Sequence, residues 1–233
     1  MLVEIGVKFL YIVRMKFSIV PVKDLSKAKE RLSPILSQKD RTALARAMLE
    51  DVLTAIKQSR LLDRFFVVTM DESAVEIAKN LGVEVIQEKE QKGESASVDL
   101  ASVICKEMGA GSVLVVPGDA PLTTTEDIDF ILEREREYPS AILIPSRDEM
   151  GTNAILRRPP DCFPSRFGYD SFKRHIHEAE QRKIPYEKYT ISRIALDIDE
   201  PNDLAFFISH KSDTKTYREL TRIGIIQKGL KLP

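Results

Sequence analysis

Three carboxylates and one basic loop account for most of the chemistry this chain could perform. Asp119 ends the run SVLVVPGD, four apolar residues followed by Pro117 and Gly118, which delivers it to the lip of a strand. Gly118 would let the backbone come close to a ligand there, and a carboxylate is the oxygen donor that Mg²⁺ prefers when phosphate and water fill the rest of its shell. A plain turn in which Asp119 caps the backbone before Pro121 is the alternative. In RIALDIDEPNDL, Ile194, Leu196 and Ile198 alternate with Ala195, Asp197 and Asp199. A period of two sets both carboxylates on one face of a strand, about 6 to 7 Å apart, where like charges repel unless water, a cation or basic groups intervene. Asp199 could instead simply precede a helix with Pro201 in its first turn, favoured by the helix dipole, which leaves Asp197 unexplained. With Asp119, the pair makes a Mg²⁺ site suited to in-line displacement at phosphorus.

The basic loop is PVKDLSKAKERL, with Lys23, Lys27, Lys29 and Arg31 just beyond the first strand. It could hold a triphosphate, Arg as a planar fork and Lys as a point charge, or be a solvated charged turn. Residues 21–36 contain no glycine, so this is neither a Walker A loop nor a GxGxxG turn. Gly151, Thr152 and Asn153 form a polar turn before a strand, and Gly168 and Ser171 flank a helix start capped by Asp170 or Ser171. A free hydroxyl among backbone N–H groups at a helix N-terminus can hold a second phosphate, or can be ordinary capping. His175 and His177 are two apart on that helix, face different ways and make no metal pair; His210 reads as a surface residue.

Such residues need a sheet whose strand ends converge. Short apolar runs at 16–21, 65–69, 83–86, 112–116 and 140–144 alternate with helix-period segments at 38–59, 72–81 and 95–108, which predicts an α/β fold with a parallel sheet wrapped by helices. Ligands gather outside the carboxyl ends of such strands. Further on, a strand near 153–157, a Pro-rich loop at 159–164, a helix at 171–182, two later strands and a helix opened by Pro201 are expected. The expected organisation is an extension over 1–14, an added edge segment or an unused upstream start; a working domain over 15–212; and an arm over 213–233, a short helix and a hairpin that could cover another subunit.

Composition sets the outer limits. The 233 residues carry 35 Lys and Arg against 36 Asp and Glu, a net charge of −1, so no bulk electrostatic footprint for nucleic acid or an anionic membrane exists. Any phosphate chemistry is local. No apolar run is long enough to span a bilayer, and Glu4 before the apolar stretch at 7–13 argues against a signal peptide. Two cysteines, Cys105 and Cys162, make no disulfide scaffold and point to a reducing cytoplasm.

The order of IVPVK, AKERL, GDAPL, GTN, FGYDSF with His175, and DIDEPNDL resembles the 2-phospho-L-lactate guanylyltransferase family of coenzyme F(420) biosynthesis over about 15–208. The resemblance implies a nucleotidyltransferase fold like that of the nucleotide-diphospho-sugar transferases: α/β, with a mixed, mostly parallel sheet flanked by helices. It implies transfer of GMP from GTP to the phosphate of a small phosphorylated carboxylic acid, 2-phospholactate or phosphoenolpyruvate, and a homodimer in the cytoplasm. By the same resemblance Pro21, Val22, Lys23, Lys29, Arg31 and Gly118 meet the nucleotide, with Lys23, Lys29, Arg31 and Asp119 catalytic. Asp119, Asp197 and Asp199 hold Mg²⁺, and Thr152, Gly168 and Ser171 grip the phosphate of the acid. The stretch KGESASVDLA departs from the family pattern near Glu94 and Ser95, where guanine and ribose would be read. Related cytidylyltransferases and molybdopterin guanylyltransferases open on a Gly-rich loop that PVKDLSKAKERL is not; a non-catalytic nucleotide-binding protein is the remaining alternative.

Overall fold

The computed structural model describes residues 15–136 and 139–228. Seven strands form one sheet in the order β3-β2-β1-β4-β6-β5-β7: β1 Met15–Pro21, β2 Arg64–Thr69, β3 Glu84–Gln87, β4 Ala110–Val115, β5 Ser140–Pro145, β6 Thr152–Arg158 and β7 Tyr186–Lys188. Every neighbouring pair is parallel except those made by β6, which runs against both β4 and β5. The sheet is therefore mixed and mostly parallel, as the resemblance implies.

Both faces are buried, which is why the strands read as continuous apolar runs rather than alternating ones. On one face Val20, Val67 and Leu114 pack with Leu44, Met48, Val52 and Ile56 of α1 (Gln38–Gln58) and with Ala74 and Ile77 of α2 (Glu72–Leu81). The same layer takes Ile128 and Ile131 of α4 (Thr125–Glu133). On the other, Phe17, Ile19, Phe66, Val113 and Val115 pack with Val98, Ala101 and Cys105 of α3 (Glu94–Glu107) and with Phe172 and Ala179 of α5 (Ser171–Gln181).

Two expectations are corrected. The alternating run 194–198 is not a strand: it makes no ladder, although Ile194, Leu196 and Ile198 are buried as a period of two requires. Its backbone is held by scattered single bonds, among them Ile198 N–H donating to Asp119 O at 3.1 Å, Arg147 N–H donating to Ala195 O at 3.0 Å and Ala195 N–H donating to Ile191 O at 2.8 Å. The tail carries no hairpin within the described residues; α6 (Pro201–Ser209) is followed by α7 (Lys215–Ile223) and a short α8 (Ile225–Lys228). Gly224, in the left-handed region at φ 82°, closes α7, and the chain then turns helically again. Residues 1–14 and 229–233 lie outside the described residues. Cys105 and Cys162 are free thiols, and no described helix is long and apolar enough to cross a membrane.

Candidate active site

The carboxyl ends of β1 and β4 lie side by side in the sheet, so the loops that follow them meet. After β1 the chain runs through two 3-10 turns, Leu25–Lys27 and Glu30–Leu32, with Lys29 between them in the left-handed region (φ 57°, ψ 40°). That conformation is uncommon for a residue with a Cβ. It carries the ammonium inward, where Nζ lies 2.6 Å from Asp119 Oδ2 and 2.6 Å from Asp199 Oδ1. Burial works against the charge, but the two carboxylates more than offset it and hold Lys29 protonated. For Asp199, burial likewise opposes ionisation and Lys29 reverses it, leaving the carboxyl below its usual range.

Asp197 is different. Burial, reinforced by the charge of Asp119, raises its carboxyl well above the usual range, against the opposing pull of Asn153. Asn153 Nδ2 donates to Asp197 Oδ1 at 3.0 Å and to Ile194 O at 2.9 Å, tying the irregular segment to the start of β6. Asp119 thus bonds a side chain instead of capping its own turn, and Asp203, not Asp199, accepts the backbone N–H groups of Asp199 and Glu200 at the entry to α6.

Two cavities adjoin across this cluster. The first, about 540 Å³, is lined by Pro21, Val22, Lys23, Lys29, Gly118 and Glu94 among others. Here Lys23 Nζ lies 3.5 Å from Glu94 Oε2; burial and the charge of Asp119 raise the Glu94 carboxyl while Lys23 lowers it. The second, about 590 Å³, is lined by Thr152, Gly168, Ser171, Asp197, Arg31 and Arg147 among others. Asp119, Asp199, Pro117 and Glu94 line both.

The sequence-predicted residues therefore converge, with two differences of position. Arg31 lies on the second cavity, its Nη1 2.9 Å from Glu200 Oε1, and not among the residues lining the first. A Cβ on Gly118 would meet Leu49, Val20 and Val22, so the missing side chain lets α1 close on the strand end rather than admitting a ligand. Gly168 has φ 105°, a conformation that glycine alone adopts freely, and leads through Asp170, also at positive φ, into α5. Ser171 is the first residue of that helix, not its cap, and its Oγ accepts Thr152 N–H at 2.8 Å. Among the described residues no group of three or more His, Cys, Asp or Glu side chains is placed to hold a metal ion.

Sequence reasoning passed over the Lys29 bridge, Arg147 and the part played by His175. The signal for His175 was its place four residues after Ser171 and four before Ala179, on the buried stripe of α5. It is fully buried. Burial, then the charges of Arg157, Arg174 and Arg166, push its imidazole down to about 3. The unfolded chain takes up a proton near pH 6.5 while the folded one does not, so this residue makes stability fall as pH drops from about 6.5 toward 3, by up to about 1.4 kcal/mol per pH unit. Denaturant titrations at pH 6.5 and 4.5 should show the wild type losing about 2 kcal/mol more than His175→Asn; equal losses would remove the assignment of a neutral buried imidazole.

Comparison with known proteins follows the same pattern. Residues 15–230 match the family described as guanylyl transferase CofC like. A phosphoenolpyruvate guanylyltransferase from Conexibacter woesei is 36% identical over 81% of this chain and 85% of that protein. A 2-phospho-L-lactate guanylyltransferase from Methanothermobacter thermautotrophicus is 32% identical over 91% of this chain and 92% of that one. Among solved structures, a chain from Desulfovibrio desulfuricans G20 provisionally described as a nucleotide-diphospho-sugar transferase covers 92% of this chain and 98% of its own length. It superposes with a TM-score of 0.73 at 17% identity, a likeness of fold alone.

Proposed function

This chain belongs to the CofC-like guanylyl transferase family, and on that premise we propose that it joins GMP from GTP to the phosphate of (2S)-2-phospholactate. The products are lactyl-2-diphospho-5'-guanosine and pyrophosphate, in coenzyme F(420) biosynthesis. The observation that carries this reading is the pair of cavities sharing Asp119 and Asp199. One takes the nucleotide, the other the small acid, and the reacting phosphorus lies at the common wall. A phosphate oxygen of the acid bonds to the α-phosphorus as the bond to the bridging oxygen breaks, and the electron pair leaves with pyrophosphate. Because the attacking phosphate is already ionised near neutral pH, no general base is needed.

Both reactants are polyanions, so what the protein must supply is position and countercharge. Lys23 and Lys29 face the first cavity and Arg31 the second. Mg²⁺ fits the donor set: Asp119 and Asp199 already share one cation, and Asp197 beside them has Asn153 as its hydrogen-bond partner. One or two carboxylates completed by phosphate and water is the shell this ion favours, so a closed protein cage is not required. Of the three carboxylates expected there, Asp119 and Asp199 would hold it with Asp197 beside them, and when bound it would screen charge on the phosphoryl oxygens. We also infer a homodimer in the cytoplasm, as the family resemblance implies.

The same transfer onto phosphoenolpyruvate is the second reading, favoured by relatives of that name being 36% identical over 81% of this chain, against 32% over 91% for the Methanothermobacter thermautotrophicus 2-phospholactate enzyme. Pyrophosphate release from each of four nucleoside triphosphates, against 2-phospholactate, phosphoenolpyruvate and 3-phosphoglycerate, tests both. GTP with 2-phospholactate should give the highest kcat/KM; a preference for another nucleotide would overturn the proposal. Ser171→Ala is expected to raise KM for the acid about tenfold, with KM for GTP within twofold, since a lost hydrogen bond to a charged group costs about 1.5 kcal/mol or more. The reverse pattern would move Ser171 to the nucleotide side.

A further inference from the structure

His175 takes no part in the transfer as derived above, yet its two ring nitrogens are both committed. Nε2 accepts the backbone N–H of Arg166 at 2.8 Å. A backbone N–H cannot accept, so Nε2 carries no proton, and the neutral ring holds its proton on Nδ1. Nδ1 lies 2.9 Å from Thr152 Oγ1 and therefore donates to it. The ring is held edge-on by Phe167, with centroids 5.0 Å apart, and flanked by Phe163.

We propose that His175 is a positioning residue that turns the hydroxyl hydrogen of Thr152 toward the second cavity, favouring a ligand group that offers an acceptor oxygen at that point. Thr152 Oγ1, receiving the His175 proton, is left to direct its own hydroxyl hydrogen elsewhere. Ser171 Oγ is in the same state, because it receives Thr152 N–H at 2.8 Å. Among the described residues neither hydroxyl has a protein acceptor, and both residues line the second cavity. A hydroxyl can ordinarily serve either a donor or an acceptor. Here one histidine tautomer and one backbone amide each take up one acceptor lone pair of two neighbouring oxygens and leave each hydroxyl hydrogen in search of an acceptor. A phosphate or carboxylate group accepts both hydrogens; a group presenting only O–H or N–H leaves both without an acceptor. The inference rests on the reading that the acid binds in this cavity.

Nitrogen NMR of the wild-type full chain should show His175 with a protonated Nδ1 and a bare Nε2 from pH 6 to 8. A proton on Nε2, or a cationic ring, would overturn the proposal. Calorimetric titration with 2-phospholactate and with phosphoenolpyruvate supplies the functional arm. His175→Phe keeps the volume and loses the donor, so its dissociation constant for the acid should rise at least tenfold while that for GTP stays within twofold. His175→Asn, whose amide nitrogen takes the place of Nδ1, should stay within threefold of wild type. Equal losses in both variants would leave His175 a packing residue and end the proposal. Should the wild type bind neither acid, the substrate reading falls, and the nitrogen spectrum alone decides the donor assignment.

Discussion

Asp119→Asn is expected to reduce pyrophosphate release about a thousandfold, equivalent to about 4 kcal/mol of barrier, with the fold retained. The residue stands on the wall common to both cavities, and its carboxylate is one of two that hold the Lys29 ammonium. Asparagine keeps the volume, and the backbone carbonyl that receives Ile198 N–H is untouched. What disappears is one negative charge, and the change relaxes its neighbours: Asp197 and Glu94 both owe part of their raised carboxyls to it. Stability should therefore move by less than about 1 kcal/mol, because lost pairing with Lys29 is offset by lost repulsion. Steady-state pyrophosphate release with GTP and the acid, alongside a denaturant titration, checks both parts. Asp197→Ala combined with Asp199→Ala should be equally inactive. Turnover within tenfold of wild type in either protein would remove these carboxylates from the chemistry.

Much of the fold was legible because a doubly covered sheet prints its strands as unbroken apolar runs. FFVVT and SAILIP needed no alternation to be recognised, and the Leu44, Met48, Val52, Ile56 stripe of α1 is the stripe that packs on them. The segment 194–198 misled because burial on one side imposes a period of two on any extended chain, whether or not a neighbouring strand pairs with it. The tail misled for a related reason: in RIGIIQKGLKL short apolar runs do not separate helix from strand, and only the left-handed Gly224 decides where α7 ends. At the site, the residue types were readable but their partners were not. Asp119 announces itself as a carboxylate at a strand's lip, and Asp197 and Asp199 as a pair two residues apart, whereas the Lys29 contact spans 90 and 170 positions of sequence and depends on a single residue at positive φ. His175 was hidden by its own success, since a histidine with both nitrogens satisfied looks like any polar residue on a helix.

Lys29→Met should cut turnover at least a hundredfold and, at the same time, raise the affinity of the nucleotide-free protein for Mg²⁺ about tenfold or more. The two effects have one cause. The ammonium occupies the point where Asp119 and Asp199 converge, with only 6% of its side chain exposed, so a divalent ion entering there must displace it. The left-handed backbone at Lys29 costs of order 1 kcal/mol, and the two carboxylate contacts are what hold it. On the proposed function, triphosphate oxygens would offer the ammonium an equivalent partner in the first cavity and so release the carboxylates to other cations. Methionine keeps the length and removes the charge. It leaves two carboxylates facing each other, at a cost of about 1 to 3 kcal/mol, kept modest because Asp199 is about half exposed. Added Mg²⁺ should restore part of that loss by mass action, while wild-type stability responds less. Calorimetric titration of Mg²⁺ into both proteins, without nucleotide, reads the exchange directly. An unchanged dissociation constant would mean that the ammonium and the ion occupy separate positions, and Lys29 would then be a phosphate ligand alone.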